Sequence, residues 1–184
     1  MAINERHPET AQLLLKKGAS VNVTCERGVT CLHLLMRWPT YSDVQVRLVM
    51  QLVGSGLDVN VQSDSGETPL LHLCRKRDNS LPMAKYLLSI GASAATADLT
   101  GLAPLHVAAE TNNLELARLL IKYGAPLDAV GPAGIPAMVA MRRRSAAVIK
   151  ELAAPLAVVP DAIYERIFRT LAPADLYHAM AACS

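Results

Sequence analysis

Apolar residues between positions 98 and 130 fall into two short helical rhythms separated by a polar break. Leu105, Ala108 and Ala109 form the first; after Glu110-Thr111-Asn112-Asn113, the residues Leu116, Leu119, Leu120 and Tyr123 form the second. Steps of three and four predict two short helices with one apolar face each. Pro104 stands where the first would begin, a position where its missing N–H costs nothing. Gly101 opens the unit and Gly124 stands where the second helix would stop. A pair this short cannot bury both faces alone, so copies are expected.

The copies are present. A Gly-Ala or Gly-Leu step recurs at Gly18-Ala19, Gly56-Leu57, Gly91-Ala92 and Gly124-Ala125, at intervals of 38, 35 and 33 residues. The opening glycine recurs at Gly28, Gly66, Gly101 and Gly134, at the same intervals. Each first helix starts on a related string: Thr30-Cys31-Leu32-His33, Thr68-Pro69-Leu70-Leu71, Ala103-Pro104-Leu105-His106-Val107-Ala108, and a degenerate Pro136-Ala137-Met138-Val139. These residues resemble the ankyrin repeat, whose period is about 33 and whose signature is T-P-L-H-x-A. The resemblance implies an all-α ankyrin-repeat solenoid over residues 1–154, with helix–turn–helix repeats and short hairpin loops. It would hold about four to five repeats, the first partial and the last degenerate. It also implies structural roles for Thr30, His33, Thr68, Pro69, Pro104 and His106, the His hydrogen-bonding the preceding Thr and nearby backbone. His106 follows Ala103 in place of Thr, and His72 is shifted by one, leaving Leu71 in the His slot.

Departures from the period are informative. The second unit carries five extra residues near 37–43, with Pro39 set to end its first helix and Ser42 or Asp43 to cap its second. This insertion holds the chain's one Trp, Trp38, and Tyr41. Two roles fit them: anchors for a target protein, or a cover over the neighbouring repeat. The third unit has two extra residues near Arg75, Lys76 and Arg77, a cluster that suits an acidic partner or a solvated helix end. At the start, Leu13, Leu14 and Leu15 align with Leu119, Leu120 and Ile121, and the chain begins inside a first helix, which suggests a truncated form of a longer array. In the fifth unit Met138, Met141, Val148, Ile149 and Leu152 are the expected core positions.

Composition narrows the function. Apolar residues make up 52% and aromatic ones 4%, which suits thin layers packed through Leu, Val and Ala. A net charge of +2 implies no polyanion, hence no nucleic acid, and Arg142-Arg143-Arg144 is too short to change that. The four cysteines include no C-x-x-C pair and the histidines do not cluster, so no metal or cofactor is expected and the thiols should be free and mostly buried. No apolar run approaches the roughly 18 residues of a membrane span, and the opening MAINERHPE has no secretory core. A cytoplasmic protein, with nuclear access open, is the expectation. No paired carboxylates, nucleophile–base set or phosphate loop appears, so an enzyme is not expected.

The register is lost after Pro155-Leu156. In residues 158–184, Pro160 begins a stretch in which Ile163, Ile167 and Leu171 fall on one helical stripe, widened by Tyr164 and Phe168. Val159-Pro160, Ile163, Ile167-Phe168, Leu171-Ala172-Pro173-Ala174-Asp175-Leu176 and Cys183 together resemble the start of an F-box. Ankyrin repeats followed by a truncated F-box-like segment resemble the poxvirus ankyrin/F-box-like (PRANC) proteins. That resemblance implies that Pro160, Ile163, Ile167, Phe168, Leu171 and Leu176 dock on the Skp-type adaptor of a cullin-containing SCF ubiquitin ligase, while the repeats hold a target protein. The other reading of the same stripe is a cap on the fifth repeat.

Overall fold

Proline opens the first helices of the third and fourth units, and a threonine caps that of the third. In the computed structural model, which describes residues 3, 6–38, 42–76, 81–143 and 146–153, Thr68 caps helix α4 (Pro69–Cys74) by accepting the Leu71 N–H at 3.2 Å. Pro69 fills the first helical position of α4, and Pro104 does so in α6 (Pro104–Glu110). The corresponding helix of the second unit is α2 (Cys31–Met36), preceded by Thr30, and that of the fifth is α8 (Pro136–Arg142).

The second helices are α1 (Pro8–Lys16), α3 (Asp43–Gly54), α5 (Leu81–Ser89), α7 (Leu114–Lys122) and α9 (Ala146–Ala153). Ser42 caps α3 by accepting from the Gln45 N–H, and Asn113 caps α7 by accepting from that of Leu116. Four of these helices stop in the same way. Ala19, Leu57, Ala92 and Ala125 each donate an N–H to a carbonyl five residues back, on Leu14, Leu52, Leu87 and Leu120. The glycine before each donor has a positive φ, +80° to +98°, so the Gly-Ala and Gly-Leu steps are Schellman-type stops. The second set of landmark glycines, Gly28, Gly66, Gly101 and Gly134, also lies at positive φ.

The chain divides into two units, residues 1–99 and 100–184. In the first, α2 packs on α3 and on α4, α1 packs on α3, and α4 packs on α5. In the second, α6 packs on α7 and α8, and α9 packs on α7 and α8. Among the described residues there is no strand, only isolated bridges at Thr24–Thr30 and Gly131–Gly134. The class is the all-α ankyrin-repeat fold expected from the sequence.

The core matches the composition. Leu32, Leu35, Leu48, Leu52, Leu71 and Leu87 are fully buried in the first unit, as are Leu105, Ala108, Leu120 and Val148 in the second. No aromatic residue is buried among the described residues. Several expected slots differ: Leu13 is 56% exposed and Met138 is only part-buried. Leu14 aligns with Leu120 but is 48% exposed, because α7 is packed by both α6 and α9 whereas the described packing of α1 is on α3. Tyr123 falls one residue past the end of α7 and is exposed, and Ala117, fully buried, takes part in the α7 face instead.

Candidate functional site

The repeat histidines are consumed by structure. His33 is buried, and its Nδ1 accepts the Thr30 N–H at 3.3 Å and the Thr30 hydroxyl at 2.9 Å. An amide N–H only donates, so Nδ1 carries no proton and Nε2–H donates to the Glu67 carbonyl at 2.8 Å. One neutral imidazole thus joins the start of α2 to the turn before α4. His106 repeats the arrangement with less support. Its Nδ1 accepts the Ala103 N–H at 3.1 Å, and Nε2 serves the carbonyls of Ala129 and Gly134 at 2.9 and 3.0 Å. Ala103 has no hydroxyl to add.

A polar cluster lies beside His33. His72 sits one position past the buried Leu71, half-exposed, with its ring edge-on to His33 at 6.1 Å between centroids. Its Nδ1 lies 3.0 Å from Glu67 Oε2. The other carboxylate oxygen, Oε1, lies 3.0 Å from Arg75 Nε, and Arg75 Nη2 reaches Asp98 Oδ2 at 3.0 Å. Asp98 is buried and Glu67 part-buried, with side chains 4% and 15% exposed, so removing Arg75 would strand charge in a poorly solvated place. Lys76 donates to the Trp38 carbonyl, and the Trp38 indole N–H donates to the Ile3 carbonyl at 3.0 Å. Arg37, His72, Arg75, Lys76 and Glu67 line a cavity of 310 Å³ at the C-terminal ends of α2 and α4.

Of the residues singled out in the sequence, Trp38, Arg75 and Lys76 therefore meet around one site, with Arg75 already held by two carboxylates. Tyr41, Arg77, Arg144 and the tail residues Pro160, Ile163, Ile167, Phe168, Leu171 and Leu176 lie outside the described residues. Arg143 pairs with Glu110 at 2.7 Å. The thiols of Cys25, Cys31 and Cys74 are free; Cys74 alone of these three is buried, its pKa pushed up to about 12 by burial. Among the described residues no group of His, Cys, Asp and Glu could hold a metal ion, and no helix is long and apolar enough to cross a membrane.

Glu67, Asp98 and Asn60 were not anticipated. Asn60 accepts the Ser93 N–H at 2.7 Å and donates to the Gly91 carbonyl at 3.0 Å, joining the ends of α3 and α5. A signal for Asn60 existed: Val21-Asn22 and Val59-Asn60 recur at the 38-residue interval.

Residues 35–131 match the family profile of ankyrin repeats in three copies, and residues 1–26 match a single ankyrin repeat. The chain belongs to the ankyrin-repeat family. It is 32% identical over 130 residues to the B-cell lymphoma 3 protein homolog of Mus musculus, covering 68% of this chain and 28% of that protein. It is 32% identical over 127 residues to an ankyrin repeat protein of fowlpox virus, covering 65% and 35%. A mimivirus ankyrin repeat protein is 30% identical over 141 residues, covering 77% and 34%. The chain thus spans about a third of the length of these curated relatives. Tips of successive ankyrin hairpins in the first unit are joined directly: Asp64 N–H donates to the Arg27 carbonyl and Leu99 N–H to the Ser65 carbonyl, both at 3.0 Å.

The ankyrin polar cluster gives stability a pH signature. Burial holds His33 below its ordinary 6.5, and the hydrogen bond from His72, ahead of the Arg75 charge, holds Glu67 below its ordinary 4.5. Below those values the unfolded chain binds the protons that the folded chain resists. Stability is therefore full above pH 6.5 and falls in two steps with acidification, the first from His33 below 6.5 and the second from Glu67 below 4.5. Urea midpoints followed across this range should show both, and Glu67→Gln should remove the lower step while leaving the upper step no smaller, since the Glu67 charge favours a protonated His33.

Proposed function

We propose that this chain is a non-catalytic adaptor whose ankyrin repeats bind a target protein and whose C-terminal segment recruits an SCF-type ubiquitin ligase. The observation that carries the first half is the fate of the repeat histidines. The two side chains best suited to acid–base chemistry are spent holding backbone between turns. What the described surface offers is shape and charge, which is the chemistry of protein binding. The ankyrin repeat proteins of fowlpox virus and mimivirus among its relatives agree with a viral modulator of host defence acting in the host cytoplasm. The ligase half rests on the sequence from Pro160 to Leu176, whose apolar stripe suits helix-in-groove docking on a Skp-type adaptor. Holding target and ligase on one chain raises their effective concentration without new contacts.

Purified intact chain mixed with a Skp-type adaptor is the test. Capture is expected for the natural sequence and should be lost, by on the order of a hundredfold, in Ile167→Asp or Leu171→Asp, since a charge in an apolar interface is strongly unfavourable. Circular dichroism should show unchanged helix content. Capture that survives both substitutions overturns the ligase reading and leaves a plain ankyrin scaffold whose tail caps the stack.

A further inference from the structure

Cys25 and Cys31 stand on either side of one tight turn. Thr24 and Thr30 form an antiparallel bridge, and the Cys25 N–H donates to the Val29 carbonyl at 2.7 Å. Cys25 therefore lies opposite Val29, and Cys31, two residues further on, is its diagonal neighbour on the same face. Both side chains line one apolar cavity of 220 Å³, beside Leu14, Val21, Val23 and Leu34. The two thiols differ in access: Cys25 is exposed and Cys31 part-buried. Burial, and after it the nearness of Cys25, raises the Cys31 thiol above its ordinary range. Their anchoring differs too. Cys31 is the first residue of α2, whose Leu32, Leu35 and Met36 are fully buried. Cys25 leads into Glu26–Gly28, a turn exposed at Glu26 and Arg27. That turn is held to the next hairpin by the Asp64 N–H, which donates to the Arg27 carbonyl at 3.0 Å.

From this placement we infer that Cys25 and Cys31 are a site of reversible oxidation, a dithiol that hydrogen peroxide converts to a disulfide across the turn. The exposed Cys25 sulfur attacks one peroxide oxygen; the O–O bond breaks, and the leaving hydroxide takes the Cys25 proton as water. Cys25 is then a sulfenic acid. The Cys31 sulfur attacks Cys25 Sγ, the S–O bond breaks, and the leaving hydroxide takes the Cys31 proton as a second water. One peroxide gains two electrons and the two thiols together lose two. Diagonal neighbours lie about 7–8 Å apart, and a disulfide spans at most about 6.8 Å between Cα atoms, so the turn closes by about 1 Å. The buried face of α2 fixes Cys31, so the movement falls on Cys25 and Glu26–Gly28 and pulls on the bond from Asp64 to Arg27. The site stands apart from both the target and the ligase readings.

The intact, reduced chain is treated with a slight molar excess of hydrogen peroxide, alkylated with iodoacetamide and digested with trypsin for mass spectrometry. Trypsin cuts after Arg27, between the two cysteines, so the disulfide is expected as two linked peptides that dithiothreitol separates. Cys74, fully buried, should stay reduced in the same sample. In Cys31→Ser, Cys25 should accumulate as sulfenic acid trapped by dimedone; in Cys25→Ser, Cys31 should oxidise roughly tenfold more slowly, following its lesser exposure and thiolate content. Amide exchange at Asp64 should quicken several-fold on oxidation, while that at Leu99, in the neighbouring tip contact, stays unchanged. No linked peptide, or a link from Cys25 to Cys183 in its place, overturns the pair. An unaltered Asp64 amide in the linked protein overturns the pull on the hairpin tip.

Discussion

His33→Leu is expected to destabilise the first unit by about 3 kcal/mol, read as a lower urea midpoint with helix content kept up to the transition. Leucine is apolar and of similar bulk, so little cavity is created and the cost is polar. Two donors lose their acceptor: the Thr30 N–H and the Thr30 hydroxyl, both aimed at Nδ1 in a buried place. The Glu67 carbonyl loses Nε2–H but keeps the Ser63 N–H at 3.0 Å, so it is not orphaned. A stranded buried donor costs about 1–3 kcal/mol, and the hydroxyl can turn elsewhere, which places the sum near ~3 kcal/mol. The molecule contains its own control. At the fourth unit Ala103 stands where Thr30 stands, and His106 still accepts its N–H. Thr30→Ala should therefore cost about 1 kcal/mol, the scale of the one hydroxyl hydrogen bond to His33 that is lost. If His33→Leu were no worse than Thr30→Ala, the imidazole would be filling space and not joining repeats.

Much of this architecture was readable because glycine does one thing here that other residues do poorly. All eight landmark glycines, spaced only by counting, turned out to hold positive φ, and four of them close a second helix with the same five-residue hydrogen bond. A backbone requirement repeats in the sequence as surely as in space. Burial was less legible. Leu14 and Leu120 occupy one register position, yet one is exposed and the other is not, because burial depends on the helix opposite and not on the residue's own spacing. The ion-pair cluster was least legible. Arg75 looked like part of a basic run, and its buried partner Asp98 lies 23 residues further on in another hairpin. Nothing in a run of three cations states which of them is answered. The reading of Lys76 and Trp38 as separate insertions shared that blindness: they are 38 residues apart and one hydrogen bond from each other.

Gly66→Ala should cost about 3 kcal/mol, and Gly56→Ala only about 1. Both glycines hold left-handed backbone, φ +77° and +92°, which disfavours any Cβ by about 1–2 kcal/mol. At Gly56 that is the whole effect, because a Cβ there meets nothing within 4 Å. At Gly66 the Cβ would lie 2.8 Å from the Leu99 backbone nitrogen and 3.1 Å from Leu99 Cγ. That nitrogen belongs to the bond that joins the two hairpin tips, Leu99 N–H to the Ser65 carbonyl. The alanine methyl cannot be accommodated by swinging a side chain aside, since the obstacle is backbone, so the tips must separate and the hydrogen bond lengthens or breaks. Losing it adds about 1 kcal/mol, and the shift loosens Asp98, whose carboxylate holds Arg75. The paired substitutions separate conformational cost from tip contact: the difference in urea midpoint between Gly66→Ala and Gly56→Ala measures the contact. Equal midpoints would mean that the tips are merely adjacent, and that the spacing of the opening glycines is set by turn geometry alone.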